Sequence, residues 1–71
     1  MNVLGNDVVK AMHVLASALV EEDVEDTSLS VDTDKEQIIF WHNNERCIVN
    51  CAWDSKSAAI RDFAKQLLLK L

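Results

Sequence analysis

The stretch Glu36-Gln37-Ile38-Ile39-Phe40-Trp41-His42-Asn43-Asn44-Glu45-Arg46-Cys47-Ile48-Val49-Asn50-Cys51-Ala52 decides the fold. Two runs of β-branched and aromatic residues meet at Asn43-Asn44, a pair suited to the left-handed backbone of a two-residue hairpin turn. That turn sets a register in which His42 faces Glu45, Trp41 faces Arg46, Phe40 faces Cys47, Ile39 faces Ile48 and Ile38 faces Val49. Side chains alternate across a strand, so the register sorts the hairpin into two faces. Ile38, Phe40, Cys47, Val49 and Cys51 share one. Gln37, Ile39, Trp41, Arg46, Ile48, Asn50 and Ala52 share the other.

Upstream, Thr27 to Asp32 alternates Thr27, Leu29 and Val31 against Ser28, Ser30 and Asp32, which predicts a short edge strand joined to the hairpin through a turn at Thr33-Asp34. Before it, Val8, Met12, Leu15 and Leu19 recur at helical spacing, with Val9, His13, Ala16 and Val20 as a second, partly apolar line. Asn6 is the expected N-cap, and Asp7 complements the first-turn dipole. Glu21 and Glu22 oppose the dipole at the other end, so the helix is expected to stop near Val20. After the hairpin, Asp54 is the expected cap of a second helix carrying Lys56, Ile60, Phe63, Leu67 and Leu71 on one line and Ala59, Ala64 and Leu68 beside it. Leu67, Leu68, Leu69 and Leu71 give its last turn more apolar surface than one face can bury.

The order αβββα predicts an α+β fold in two layers: a three-stranded antiparallel meander with both helices on the face that carries Phe40 and Val49. The other face then has no element to cover it. Ile39, Trp41 and Ile48, edged by Arg46 and Asn50, form a patch with the aromatic and arginine composition of a binding hot spot. These five residues are the expected partner-binding surface.

A 71-residue chain is expected to fold as a single domain with little interior to spare, since only about 60% of the unfolded surface is buried at this size. Covering an apolar patch with a partner, or with a second copy in a homodimer, is then a direct route to stability. With 49% apolar residues, no proline and one glycine, the composition is that of an ordinary globular domain. No run approaches the ~20 apolar residues of a membrane span, and the first residues lack a signal peptide's pattern, so a cytosolic location is expected.

The net charge is −5, unevenly spread. Glu21, Glu22, Asp23, Glu25, Asp26, Asp32, Asp34 and Glu36 face one base, Lys35, in the middle of the chain, whereas Arg46, Lys56, Arg61, Lys65 and Lys70 outnumber Glu45, Asp54 and Asp62 towards the end. The segment Glu21, Glu22, Asp23, Glu25, Asp26 reads first as a solvated linker, and the sharper alternative is an acidic surface that steers a basic partner. It lacks the spacing and central glycine of a calcium loop. Cys47 and Cys51 lie about 13 Å apart along a strand, too far for a disulfide, and no CxxC or HxxxH spacing converges on a metal. No catalytic, cofactor-binding or metal-binding residue is assigned; a nucleophilic site could in principle be assembled from Cys47, His42 and a distant acid, as it could from almost any sequence.

The αβββα order and the segment Asp54-Ser55-Lys56-Ser57-Ala58-Ala59 are similar to double-stranded RNA-binding domains, with Ser55, Lys56 and Ala59 matching the start of that family's second helix. Ser57 and Ile60 stand where the family has basic residues, and its glycine-proline-histidine loop has no counterpart between Val31 and Glu36. The resemblance implies a nucleic-acid-binding alternative using Lys56, Arg61, Lys65 and Lys70 on helix 2, against which the net charge works. In size, charge and architecture the chain also resembles small phage-encoded inhibitors of nucleic-acid enzymes, anti-CRISPR proteins among them. That likeness implies a non-enzymatic inhibitor acting by occlusion.

Overall fold

A computed structural model describes residues 4–51 and 53–71. Helix α1 (Asn6–Leu19) leads through one 3-10 turn (Val24–Asp26) into strands β1 (Ser28–Asp32), β2 (Gln37–His42) and β3 (Glu45–Asn50), and helix α2 (Lys56–Lys70) follows. The strands form one antiparallel sheet in the order β1-β2-β3, with both helices on the same side. This is the α+β architecture expected from the hairpin.

The hairpin register is the one set by a two-residue turn, from His42 opposite Glu45 to Gln37 opposite Asn50. Asn43 and Asn44 hold φ of 49° and 62°, the left-handed pair of a type I′ turn. Between β1 and β2 the loop takes four residues, 33–36, so it extends beyond the expected Thr33-Asp34 turn. The Asp32 carboxylate accepts hydrogen bonds from the N–H groups of Asp34 (3.1 Å) and Lys35 (3.2 Å), and Glu36 closes the loop at φ 53°. An Asx-type turn does here what glycine would otherwise do.

Each helix starts one residue away from its expected cap. For α1 the cap is Gly5, in extended backbone, whose carbonyl accepts from Val8 (3.1 Å) and Val9 (3.0 Å); Asn6 is already helical. Leu4, 6% exposed, is drawn into the core just before the cap, which starts the helix earlier. For α2 the cap is Ser55 rather than Asp54: its hydroxyl accepts from Ala58 N–H at 3.1 Å and its carbonyl from Ala59 at 2.9 Å. At the other end of α1, Glu22 N–H bonds to Ser17 O (2.9 Å) and Glu21 N–H to Ala18 O (3.2 Å), with Glu21 at φ 59°. This is a Schellman motif with glutamate in the position that favours glycine.

The core is built from Leu4, Val8, Met12 and Ala16 of the N-terminal segment and α1, Ile38, Phe40 and Val49 of the sheet, Cys51, and Ala59, Phe63 and Leu67 of α2. The buried line of α1 therefore runs 8, 12, 16, with Ser17 beside it, and the expected Leu15 and Leu19 flank it, partly buried. Small residues at 16 and 17 let α1 approach close to its neighbours; a leucine there would hold them apart. On α2, Lys56 does not join the buried line, and Leu68, Leu69 and Leu71 are 55%, 74% and 55% exposed. Among the described residues no helix is long and apolar enough to cross a membrane.

Candidate functional site

Strand pairing places nine residues on the sheet face away from the helices, in three rows: Ser28, Trp41 and Arg46; Ser30, Ile39 and Ile48; Asp32, Gln37 and Asn50. The apolar residues of this face stand on the central strand and on β3, with polar side chains around them. Trp41 is 43% exposed, while Ile39 and Ile48 are half-buried by their neighbours on the sheet. The three apolar residues share this face as the register predicts, but only the indole is exposed; Ile39 and Ile48 are less open than a face without a cover suggests. Arg46 and Asn50 are exposed at its margin, and the Arg46 guanidinium carbon lies 5.8 Å from the Trp41 ring centroid. A cation over an indole face at this range is attracted to the ring's negative face, a contact of about 0.5–1 kcal/mol at an exposed site.

The acidic connector meets this patch at one end. Glu25 and Asp26, on the 3-10 turn, line an open hollow of about 360 Å³ together with Thr27, Ser28, Trp41, His42, Asn43 and Asn44. Glu25 and Asp26 thus share the lining of one hollow with the exposed Trp41. Glu21, Glu22 and Asp23 do not line it, so the five-residue acidic surface divides into a pair beside Trp41 and a group nearer the end of α1.

A network that sequence reading missed holds the 3-10 turn in place. Thr27 Oγ1 lies 2.7 Å from His13 Nε2, 2.8 Å from Ser17 Oγ and 3.1 Å from the Val24 carbonyl, and Ser17 Oγ donates to the His13 carbonyl at 2.8 Å. The two hydroxyls have one proton each. Ser17 Oγ donates to the His13 carbonyl and Thr27 Oγ1 to the Val24 carbonyl, and the Thr27–Ser17 contact competes for the same two protons; the direction of the His13–Thr27 bond follows the imidazole tautomer. His13 and Ser17 are four apart on α1, but no local signal in the sequence pairs them with Thr27.

Of the remaining candidates only His42 and Cys47 meet, and the other ring nitrogen of His42, Nδ1, is buried with no hydrogen-bond partner to orient it. Cys47 Sγ is 3.9 Å from His42 Nε2 on the helix-covered face, where His42 also stacks on Phe40 with ring centroids 5.3 Å apart, and Cys47 is not among the residues lining the hollow. Cys47 and Cys51 are both free thiols. Burial pushes the Cys51 thiol up, partly offset by the Trp53 indole N–H, which is buried and makes no hydrogen bond of normal geometry. Among the described residues no group of three His, Cys, Asp or Glu is placed to hold a metal ion. On α2, Lys56 is drawn to Asp7 of α1 in an ion pair of 3.0 Å, and Arg61 Nε donates to the Ser57 carbonyl at 3.4 Å.

No family model matches this chain, and neither a curated protein nor a solved structure is detectably similar to it.

Proposed function

We propose that this protein is a non-enzymatic, cytosolic binding module that docks a protein partner on the uncovered sheet face through Ile39, Trp41 and Ile48, with Arg46 and Asn50 at the margin. The observation that carries this reading is the placement of Trp41: exposed, with the Arg46 guanidinium near its ring and with Glu25 and Asp26 lining the same hollow. An aromatic anchor beside carboxylates suits a partner that presents an apolar contact next to basic side chains. Nucleic-acid-handling proteins carry such basic surfaces, and a small acidic protein seated there acts by occlusion, excluding the nucleic acid without chemistry of its own. The nucleic-acid alternative on α2 has less support, because Lys56 is committed to Asp7.

The test is capture of a partner from an extract of the source cells, followed by measurement of that partner's nucleic-acid binding. Capture should fail for Trp41→Ala with Ile48→Ala, weaken for Glu25→Gln with Asp26→Asn, and the captured partner's nucleic-acid affinity should fall when the intact protein is added. Unchanged capture by the first variant would remove the docking face, and unchanged nucleic-acid affinity would remove occlusion.

A further inference from the structure

The free edge of β3 has a feature that the docking face does not need. In a hairpin closed by two residues, the flanking pair His42 and Glu45 exchanges backbone hydrogen bonds, and alternate residues follow the same pattern. Cys47 and Val49 therefore bond to β2. Arg46, Ile48 and Asn50 turn their N–H and C=O groups to the open side, where, among the described residues, the sheet order β1-β2-β3 provides no further strand. The other edge is poorer: β1 is five residues long, with only Leu29 and Val31 aimed outward by the same alternation, between Ser28, Ser30 and Asp32.

Edges of natural sheets are commonly protected by lysine, proline or a bulge. The β3 edge has none of these, and its six residues pair with β2 without a break in register. Its sequence is also chemically symmetric about Ile48: Arg46, Cys47, Ile48, Val49, Asn50 reads polar, apolar, isoleucine, apolar, polar. A strand that is to pair antiparallel with its own copy needs this property, because opposite residues must share a face and must suit each other.

We infer that two copies of the chain pair β3 against β3, antiparallel, about a two-fold axis through Ile48. Ile48 stands opposite the partner copy's Ile48, Cys47 opposite Val49, and Arg46 opposite Asn50. Within residues 46–50 each apolar residue meets an apolar one, each polar residue a polar one, and no like charges are opposed; Glu45, at the strand end, falls opposite Cys51. The outward groups of residues 46, 48 and 50 are all bonded. The neighbouring register, centred on Cys47, sets Arg46 against Ile48 and Glu45 against Val49, opposing four charged residues to apolar ones where the register through Ile48 opposes only the two Glu45 at the strand ends. Charge also favours this edge for association of two acidic chains: its only charged residues are Glu45 and Arg46, of opposite sign, while the connector of Glu21 to Asp26 precedes the strand at the far edge. The resulting six-stranded sheet carries a continuous row on its uncovered face, Ser30, Ile39 and Ile48 of one copy running into Ile48, Ile39 and Ser30 of the other. The two docking patches thereby join into one.

This inference stands on the backbone edge, independently of the proposed partner, and its test separates the two. Light scattering of the intact chain should give the mass of two copies. Asn50→Pro removes an outward N–H without touching the bonds to β2, so it should give one copy with an unchanged circular dichroism spectrum. Trp41→Ala, which alters the face and leaves the edge, should remain at two. Under mild oxidation Ile48→Cys should form a disulfide between copies at position 48, identified by peptide mass, whereas Arg46→Cys should not link to itself, since the two sites lie about 14 Å apart along the strands. The mass of a single chain up to the solubility limit, a dimer abolished by Trp41→Ala but kept by Asn50→Pro, or native Cys47 linking to Cys47 in place of position 48 would each overturn it.

Discussion

Arg46 and Trp41 occupy directly paired positions on β3 and β2, and the guanidinium carbon lies 5.8 Å from the indole centroid. The pair lies at the margin of the open sheet face, so its effect on stability is small. Arg46→Ala should cost about 0.5–1 kcal/mol, the range of an exposed cation–π contact, measured by urea unfolding. Acrylamide, a neutral quencher, should quench Trp41 in preference to the more buried Trp53, and more so once the substitution uncovers the ring face.

Glu21 pays a double cost at the end of α1. It sits at φ 59°, where side chains other than glycine and asparagine are strained, and it places a negative charge at the negative end of the helix dipole. Glu21→Gly should stabilise the protein by about 1 kcal/mol, raising the thermal midpoint by several degrees. Glu21→Gln, which relieves the charge alone, should recover only a small part of this.

Thr27 is the hub of the His13, Ser17 and Thr27 hydrogen bonds, while Ser17 is 1% exposed. Thr27→Val keeps the side-chain shape and removes the hydroxyl, leaving His13 and Ser17 each short of a partner. A loss of about 1–3 kcal/mol is expected. In a double-mutant cycle with Ser17→Ala the two losses should be less than additive, since both remove the same contact. Protection of the 3-10 turn in amide exchange should fall with Thr27→Val.

The ion pair between Asp7 and Lys56 joins the first turns of the two helices at 3.0 Å, and Lys56 is the chief cause that holds the Asp7 carboxyl below its ordinary value. A carboxyl whose pKa is lower in the folded state stabilises the fold above the ordinary carboxylate pKa, and that contribution disappears as pH falls through the lowered value. Both side chains are about two-thirds exposed, so the effect is small and screened by salt. Asp7→Asn should flatten the acid limb of stability against pH, and added salt should shrink the difference between the two proteins.

The hairpin was legible because its signal is local. Asn43 and Asn44 between two β-branched runs determine the turn, the turn determines the register, and the register assigns every residue from Gln37 to Asn50 to a face. The order of elements and the side on which the helices lie follow from where Phe40 and Val49 point. The helix caps were one residue off because Asn6 and Asp54 are good caps by type, while burial of Leu4 and the reach of the Ser55 hydroxyl to Ala58 decide the actual boundaries. The buried line of α1 passes through Ala16 and Ser17 because another element packs close there, which helical periodicity alone does not register. The hollow that brings Glu25 and Asp26 to Trp41, and the bonds from Thr27 back to α1, join residues distant in sequence and become visible only once the connector is folded.

The docking face is tested most directly by titrating the captured partner with the intact protein and with Trp41→Ala, Ile48→Ala, after both have been shown to share one circular dichroism spectrum. Truncating two anchors of a single hot spot should weaken binding by at least about a hundredfold, since each such residue contributes about 2 kcal/mol or more. Equal affinity of the two proteins for that partner would contradict the assignment of function to this face.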